Sequence, residues 1–166
     1  MSKENLTDEA AQKKLRELVD NISTAMMVTK LDETPLHAIP MTTKKMDEKG
    51  DIWFLSHKDS EHNAHIKKDQ RCQLLYADVK AMEFLSLFGD AHIVTEKAVI
   101  EELYSSIDNN WFDGVDDPNI TCICVTPKSA QYWDTKSNAL VSLLKMGYTA
   151  ATGDKTDIGV TGSLDI

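Results

Sequence analysis

The sequence predicts a small, partly closed antiparallel β-barrel with helices inserted between its strands, an α+β fold. Three observations carry this prediction. Five or six strand-like runs follow one another in hairpin order, with helical segments between them. The stretch from Leu36 to Ile66 reads as two extended runs around a turn at Glu48-Lys49-Gly50, feeding a short helix. Gly89 lies inside the long run Glu83 to Thr95, where a glycine marks a bulge or a close backbone approach of the kind a bending barrel needs.

The elements follow in order. Thr7 to Ile22 reads as a helix, with Thr7 or Asp8 near its cap and Ala11, Leu15, Leu18, Val19 and Ile22 on one face. Ser23 to Leu31 is the first strand, and Asp32 to Pro35 turns it into the central hairpin. The run Ile52 to Leu55 is four apolar residues deep, as in a strand buried on both faces. Asp59 or Ser60 caps the next helix, Ser60 to Lys68, and a helix N-terminus beside a buried sheet is a ready anion site. Arg71 to Ala77 and Glu83 to Thr95 are strands, Glu96 to Ser106 a helix, and Asn109 to Asn119 a structured loop. Ile120 to Pro127 and Ser129 to Trp133 read as two further strands. Asn138 to Ala150 reads as a last helix, and Thr161 to Ile166 as a short closing strand or a tail.

The chain has 166 residues, one domain's worth of sequence. The division is an N-terminal helix at about 7–22, a barrel at about 23–134, and a C-terminal helix and tail at about 135–166. A net charge of −9, from 27 acidic and 18 basic residues, disfavours sequence-independent nucleic-acid binding and anionic membrane surfaces, since both need a basic face. No run approaches the ~18 apolar residues of a membrane span. The polar start lacks the apolar core of a secretory signal, which makes the cytoplasm the expected compartment.

The three cysteines form no framework spacing. Cys122 and Cys124 alternate in one strand, and all three read as core. His62 and His65, three apart on a helix, share a face but lack a third ligand at a zinc-site spacing, so a solvated helix face is the favoured reading. Gly147 to Thr156 fails as a phosphate loop, because Asp154 separates its second glycine from the lysine. No Gly-x-Ser-x-Gly elbow occurs. Trp111-Phe112-Asp113-Gly114 places two large aromatics in a loop, either over a ligand or as a cap on the barrel end.

Several short strings occur together and in order: Ile39-Pro40-Met41, Trp53-Phe54-Leu55-Ser56 with Ser60 before a helix, Tyr76-Ala77-Asp78, Gly89-Asp90-Ala91, Trp111-Phe112, Asp116-Asp117-Pro118 and Gln131-Tyr132-Trp133-Asp134. In that order and spacing the chain resembles the FMN-binding split barrels of the pyridoxamine 5'-phosphate oxidase superfamily, in the general stress protein branch. The resemblance implies a six-stranded, Greek-key-like antiparallel barrel, a homodimer, and an FMN site formed between two chains. It places Ile39, Ser60 and His62 at the phosphate, Pro40, Met41 and Thr42 along the isoalloxazine edge, and Leu55 and Ser56 on the next strand. Phe84 and Trp133 come from the second subunit, and the dimer contact lies near Phe84 and Cys122 to Val125.

Two departures stand out. Ile39 occupies a position where the family carries arginine, and His62 one where it carries lysine. A guanidinium offers a phosphate two fixed donors, whereas isoleucine offers none. The imidazole replaces a lysine only when protonated, so flavin affinity is expected to rise as pH falls from about 8 to 6. The expected function is that of an FMN-binding oxidoreductase-like protein rather than a pyridoxamine phosphate oxidase proper, because Asp134-Thr135-Lys136-Ser137-Asn138 stands where the Arg-x-His substrate motif is expected. The alternative is a flavin-free dimeric split barrel acting as a binding or structural module.

Overall fold

The computed structural model describes residues 2–135 and 159–166. Two short strands, β1 (Ser2–Lys3) and β2 (Leu6–Thr7), precede helix α1 (Asp8–Asn21). Strands β3 (Thr24–Thr29), β4 (His37–Met46) and β5 (Ile52–His57) follow as an antiparallel meander. Helix α2 (Glu61–Lys68) then carries the chain to β6 (Arg71–Asp78), which pairs with β3 rather than with β5. Strand β7 (Glu83–Val94) forms a hairpin with β6, and β8 (Ile120–Thr135) inserts between β7 and β5. The result is a closed six-stranded antiparallel barrel in the order β3-β4-β5-β8-β7-β6, as the sequence predicts.

Alternation decides which side chains fill it. Ala25 and Met27 of β3, Phe54 of β5, Leu74 and Tyr76 of β6, and Leu85 and Leu87 of β7 point inward and are buried. Helix α1 adds Ala11, Leu15, Leu18 and Val19 to this core, and α2 adds Ile66. The apolar periodicity of both helices is therefore the footprint of one shared core.

Strand β5 departs from the expectation of equal burial on both faces. Ile52, Phe54 and Ser56 face the core, while Trp53 and Leu55 are half-buried under a separate layer. That layer is helix α3 (Lys97–Leu103), whose Ile100 and Leu103 pack with Ile120 and Cys122. The helix ends before the predicted Ser106, because Ser105 and Asp108 form a capping box that opens a new 3-10 turn at Ser106–Asn110.

The two strands expected at 120–127 and 129–133 are one strand of 16 residues. Pro127 lacks an amide donor, but it sits opposite Gly89, where the β7–β8 register shifts and the ladder tolerates the gap. A Cβ on Gly89 would lie 2.4 Å from the carbonyl oxygen of Thr126. The close-approach reading of that glycine holds.

The second half of β8 also pairs with β9 (Gly159–Asp165), which in turn receives β1 and β2 in parallel. Strand β9 thus extends the sheet rather than closing the barrel, and β1 and β2 are absent from the sequence reading. The helix expected at Asn138 to Ala150 lies outside the described residues.

All three cysteines are free and buried. Burial pushes the thiols of Cys72 and Cys124 up to about 12 and that of Cys122 up to about 11, which removes the reactive thiolate. The same burial corrects one expectation about the dimer. Cys122, Ile123 and Val125 are inaccessible and Cys124 nearly so within a single chain, because the core and α3 cover the two faces of β8 there. These residues offer no surface for a second copy.

Candidate functional site

A cleft of about 450 Å³ runs along the outward face of β4 and β5, under the loop that follows α3, within the size range of small-ligand sites. Outward alternation on β4 brings Pro40, Thr42 and Lys44 to it, and β5 contributes Leu55 and His57. Met41 also borders it. Trp111 and Phe112 form the opposite wall, and Ser56 and His62 close one end beside the N-terminus of α2.

That end is a compact polar cluster. Ser56 Oγ lies 2.6 Å from His62 Nε2 and 3.2 Å from Ser60 Oγ, and donates to Asn63 Oδ1 at 2.9 Å. Ser60 caps α2 by accepting the Asn63 amide, while the amides of Glu61 and His62 find no partner among the described residues. Asn63 is buried and donates to Thr121 Oγ1 and to the His57 carbonyl, which locks the cluster to β8. Two partnerless amides at a helix N-terminus thus lie beside bonded hydroxyls, a setting whose chemistry suits an anion.

His62 is not part of a solvated face. Burial, reinforced by His37 and His65, pushes its imidazole down to about 4, so at neutral pH it is an uncharged partner of the two serines. His65 turns elsewhere: its Nδ1 lies 3.0 Å from Thr29 Oγ1 and its ring packs edge-on against His37. The two histidines therefore serve different neighbours. Among the described residues no group of three His, Cys, Asp or Glu side chains is placed to hold a metal ion.

The opposite end holds a charged pair that the sequence reading missed. Lys44 Nζ donates to Asp108 Oδ2 at 2.7 Å and to Ser105 Oγ at 3.1 Å, with side-chain exposures of 10% for Lys44 and 8% for Asp108. Burial works to raise the Asp108 carboxyl, but hydrogen bonds from Lys44 and Ser105 hold it below its ordinary value. The signal was present in the sequence as Ser105-x-x-Asp108, a capping-box spacing just before Trp111-Phe112. Of the other nearby lysines, Lys45 pairs with Glu102 beside Trp53, and Lys58 is exposed.

The remaining predicted residues, Ile39, Phe84 and Trp133, do not line the cleft. Ile39 is half-buried and packs on the barrel core, so it brings no polar atom to the anion seat. Phe84 and Trp133 are directly opposed on β7 and β8, on the half of β8 that pairs with β9 rather than with β5. Beside them, on the same outward face, a wider groove of about 640 Å³ is lined by Gln73, Ser86, Phe88, Ser129 and Gln131. Among the described residues its lining holds no lysine, arginine or histidine, and it includes Asp165.

Comparison with known proteins decides the family. The family model described as pyridoxamine 5'-phosphate oxidase like matches residues 10–157. The chain belongs to this family. A general stress protein 26 from Jannaschia sp. CCS1 is similar in structure, with a TM-score of 0.78 and 21% identity over 94% of this chain and 98% of its own. A general stress family protein from Xanthomonas campestris has 26% identity and a TM-score of 0.64, covering 78% of this chain and 90% of its own. The general stress FMN/FAD binding protein of Xanthomonas citri has 24% identity and a TM-score of 0.65, covering 77% and 90%. A search of curated proteins finds no match. This member of the pyridoxamine 5'-phosphate oxidase like family keeps the split-barrel fold, and no helix among its described residues is long and apolar enough to cross a membrane.

Proposed function

We propose that this protein binds FMN in the cleft between β4, β5 and the Trp111 loop, and serves as a flavin-dependent oxidoreductase of the stress-response type. One observation carries the reading: the cleft joins an apolar stretch to a neutral polar cluster at a helix N-terminus. Pro40, Met41, Leu55, Trp111 and Phe112 suit a planar ring, and Ser56, Ser60 and the free amides of α2 suit a phosphate. Its similarity to the FMN/FAD binding protein of Xanthomonas citri points the same way. A bound flavin supplies the redox chemistry, while the chain holds and orients it and limits water around the ring.

The site is completed by a second copy in this reading, with Phe84 and Trp133 reaching across from the partner's β7 and β8. The outward faces of β3 and β6 carry Met26 and Leu75, directly opposed and 40% and 42% exposed; Ser86 stands opposite Leu75 on β7, and Phe84 lies two residues before it, opposite Ala77. An apolar outward face of this kind suits burial in a homodimer. Catalysis on pyridoxamine phosphate is not proposed. Asp134, where the substrate motif is expected to begin, is tied to Lys14 of α1 and is 9% exposed.

The visible spectrum of freshly purified protein tests the flavin reading, followed by titration of apo protein with FMN by fluorescence quenching. A yellow protein, or saturable micromolar quenching, supports it. A colourless protein that fails to quench FMN would favour the flavin-free dimeric module, a reading supported by the lack of an unpaired cation at the anion seat among the described residues. Sedimentation tests the dimer separately, and a monomer at micromolar concentration would remove the two-chain site.

A further inference from the structure

The Lys44–Asp108 pair does more than fasten a loop. Asp108 Oδ2 alone accepts all three of its hydrogen bonds, from Lys44 Nζ, the Ser105 amide and Ser105 Oγ. Oδ1 accepts none among the described residues, yet Asp108 walls the cleft and no fully buried side-chain oxygen there lacks a partner. Oδ1 is therefore an accessible acceptor on a side chain more than nine-tenths buried. Lys44 Nζ spends two of its three N–H groups on Asp108 and Ser105, which leaves one donor beside that acceptor.

We propose that this pair recognises the amide or imide edge of a ligand, a donor next to an acceptor, at the end of the cleft away from α2. The inference rests on the flavin reading of the cleft and goes beyond it. An anion is a poor occupant, because the carboxylate cancels the attraction of the ammonium at nearly the same distance. An apolar edge is also poor, since it would strip water from Oδ1 without replacing the hydrogen bond. A neutral edge bearing both N–H and C=O satisfies both atoms. Two sources supply such an edge: the pyrimidine ring of the flavin, whose N3–H lies between two carbonyls, and the carboxamide of a nicotinamide-type second ligand.

Binding of FMN and of FMN methylated at N3, compared by fluorescence quenching in the wild type and Asp108→Asn, separates these sources. If the flavin supplies the edge, the wild type prefers FMN by about ten- to a hundredfold, the worth of one hydrogen bond to a charged acceptor. The ratio then collapses toward one in Asp108→Asn, whose amide oxygen takes the three donors at the Oδ2 position and whose NH2 replaces the acceptor at Oδ1. A carboxylate that only anchors the loop would weaken both ligands equally and leave the ratio intact, which overturns the flavin source. The second source is read with nicotinamide and 3-acetylpyridine, which lacks the amide N–H, added to FMN-loaded protein. A spectral change with nicotinamide alone, lost in Asp108→Asn, assigns the edge to that ligand. Equal flavin affinities and no nicotinamide response overturn the inference outright. Failure of FMN itself to bind overturns the proposed function and this inference together, a result distinct from equal binding of the two flavins.

Discussion

The two ends of the cleft reach electrical neutrality by opposite routes. At α2, Ser56, Ser60 and His62 are neutral because burial holds the imidazole unprotonated. At the far end Lys44 and Asp108 carry charges that cancel across 2.7 Å. Among the described residues neither end offers a free cation, so a ligand held here is held by directed hydrogen bonds and by an apolar surface. At the α2 end that combination favours orientation over raw affinity, because neutral bonds contribute about half as much as the charge-assisted ones that Lys44 and Asp108 can make.

The comparison breaks most visibly at the charged end. Lys44→Met strands a buried carboxylate and should lower unfolding stability by about 3 kcal/mol, measured by urea denaturation. The double variant Lys44→Met/Asp108→Leu should recover much of that loss, since it removes both desolvation costs. A cost below about 1 kcal/mol for Lys44→Met would show the pair to be solvated, and the two ends would no longer differ in kind.

A free cation at the neutral end should sharpen the contrast from the other side. Ile39→Arg supplies the phosphate fork that isoleucine lacks and should tighten FMN binding by about ten- to a hundredfold. Flavin fluorescence quenching compares the two proteins. An unchanged affinity would place the phosphate away from Ser56 and Ser60, or leave the guanidinium trapped against the core that Ile39 now touches.

How much of this was legible in the sequence follows from the physics of each signal. The barrel strands and α1 were readable because alternation and helical periodicity repeat over many residues. Strands β1 and β2, two residues each, are too short to carry any period. Pro127 split β8 on paper, because its tolerance depends on Gly89, which lies on another strand. At the candidate site, Ser56, Ser60 and Pro40 sit in local motifs, so the sequence alone points to them. Asp108 is not among them, since its role depends on Lys44, 64 positions away in sequence. The burial of His62 was equally invisible, because only the folded neighbours of α2 create it.

That burial makes a stability prediction. A histidine whose pKa is lowered on folding, here to about 4 from an ordinary 6.5, binds fewer protons folded than unfolded between those values. Its contribution is therefore intact above about pH 6.5 and is lost as pH falls toward 4. The loss should be about 1 kcal/mol, discounted for the partial exposure of the ring. The melting temperature of His62→Gln should accordingly fall less than that of the wild type over this window. His37, His65 and Glu61, the titratable groups around it, are the same in both proteins. Parallel curves would mean the ring is solvated after all.

The smallest expected effect concerns ligand affinity, and it revises the expectation of tighter binding from pH 8 to 6. For that rise, phosphate would have to lift the His62 pKa from about 4 into the titrated range, a change of more than two units. Each unit is about 1.4 kcal/mol, so two units consume nearly all that a charge-assisted hydrogen bond delivers. The phosphate also gains a proton near pH 6 and weakens its own pull. FMN affinity should thus vary by less than about threefold between pH 8 and 6.5, in the wild type and in His62→Gln alike, with His62 acting as a neutral hydrogen-bond partner. Isothermal titration in two buffers of different ionisation enthalpy checks the same point through proton uptake, which should be close to zero at pH 7.5. Uptake approaching one proton per flavin would show that the phosphate does recruit a charged imidazole, and that the neutral end of the cleft becomes cationic on binding.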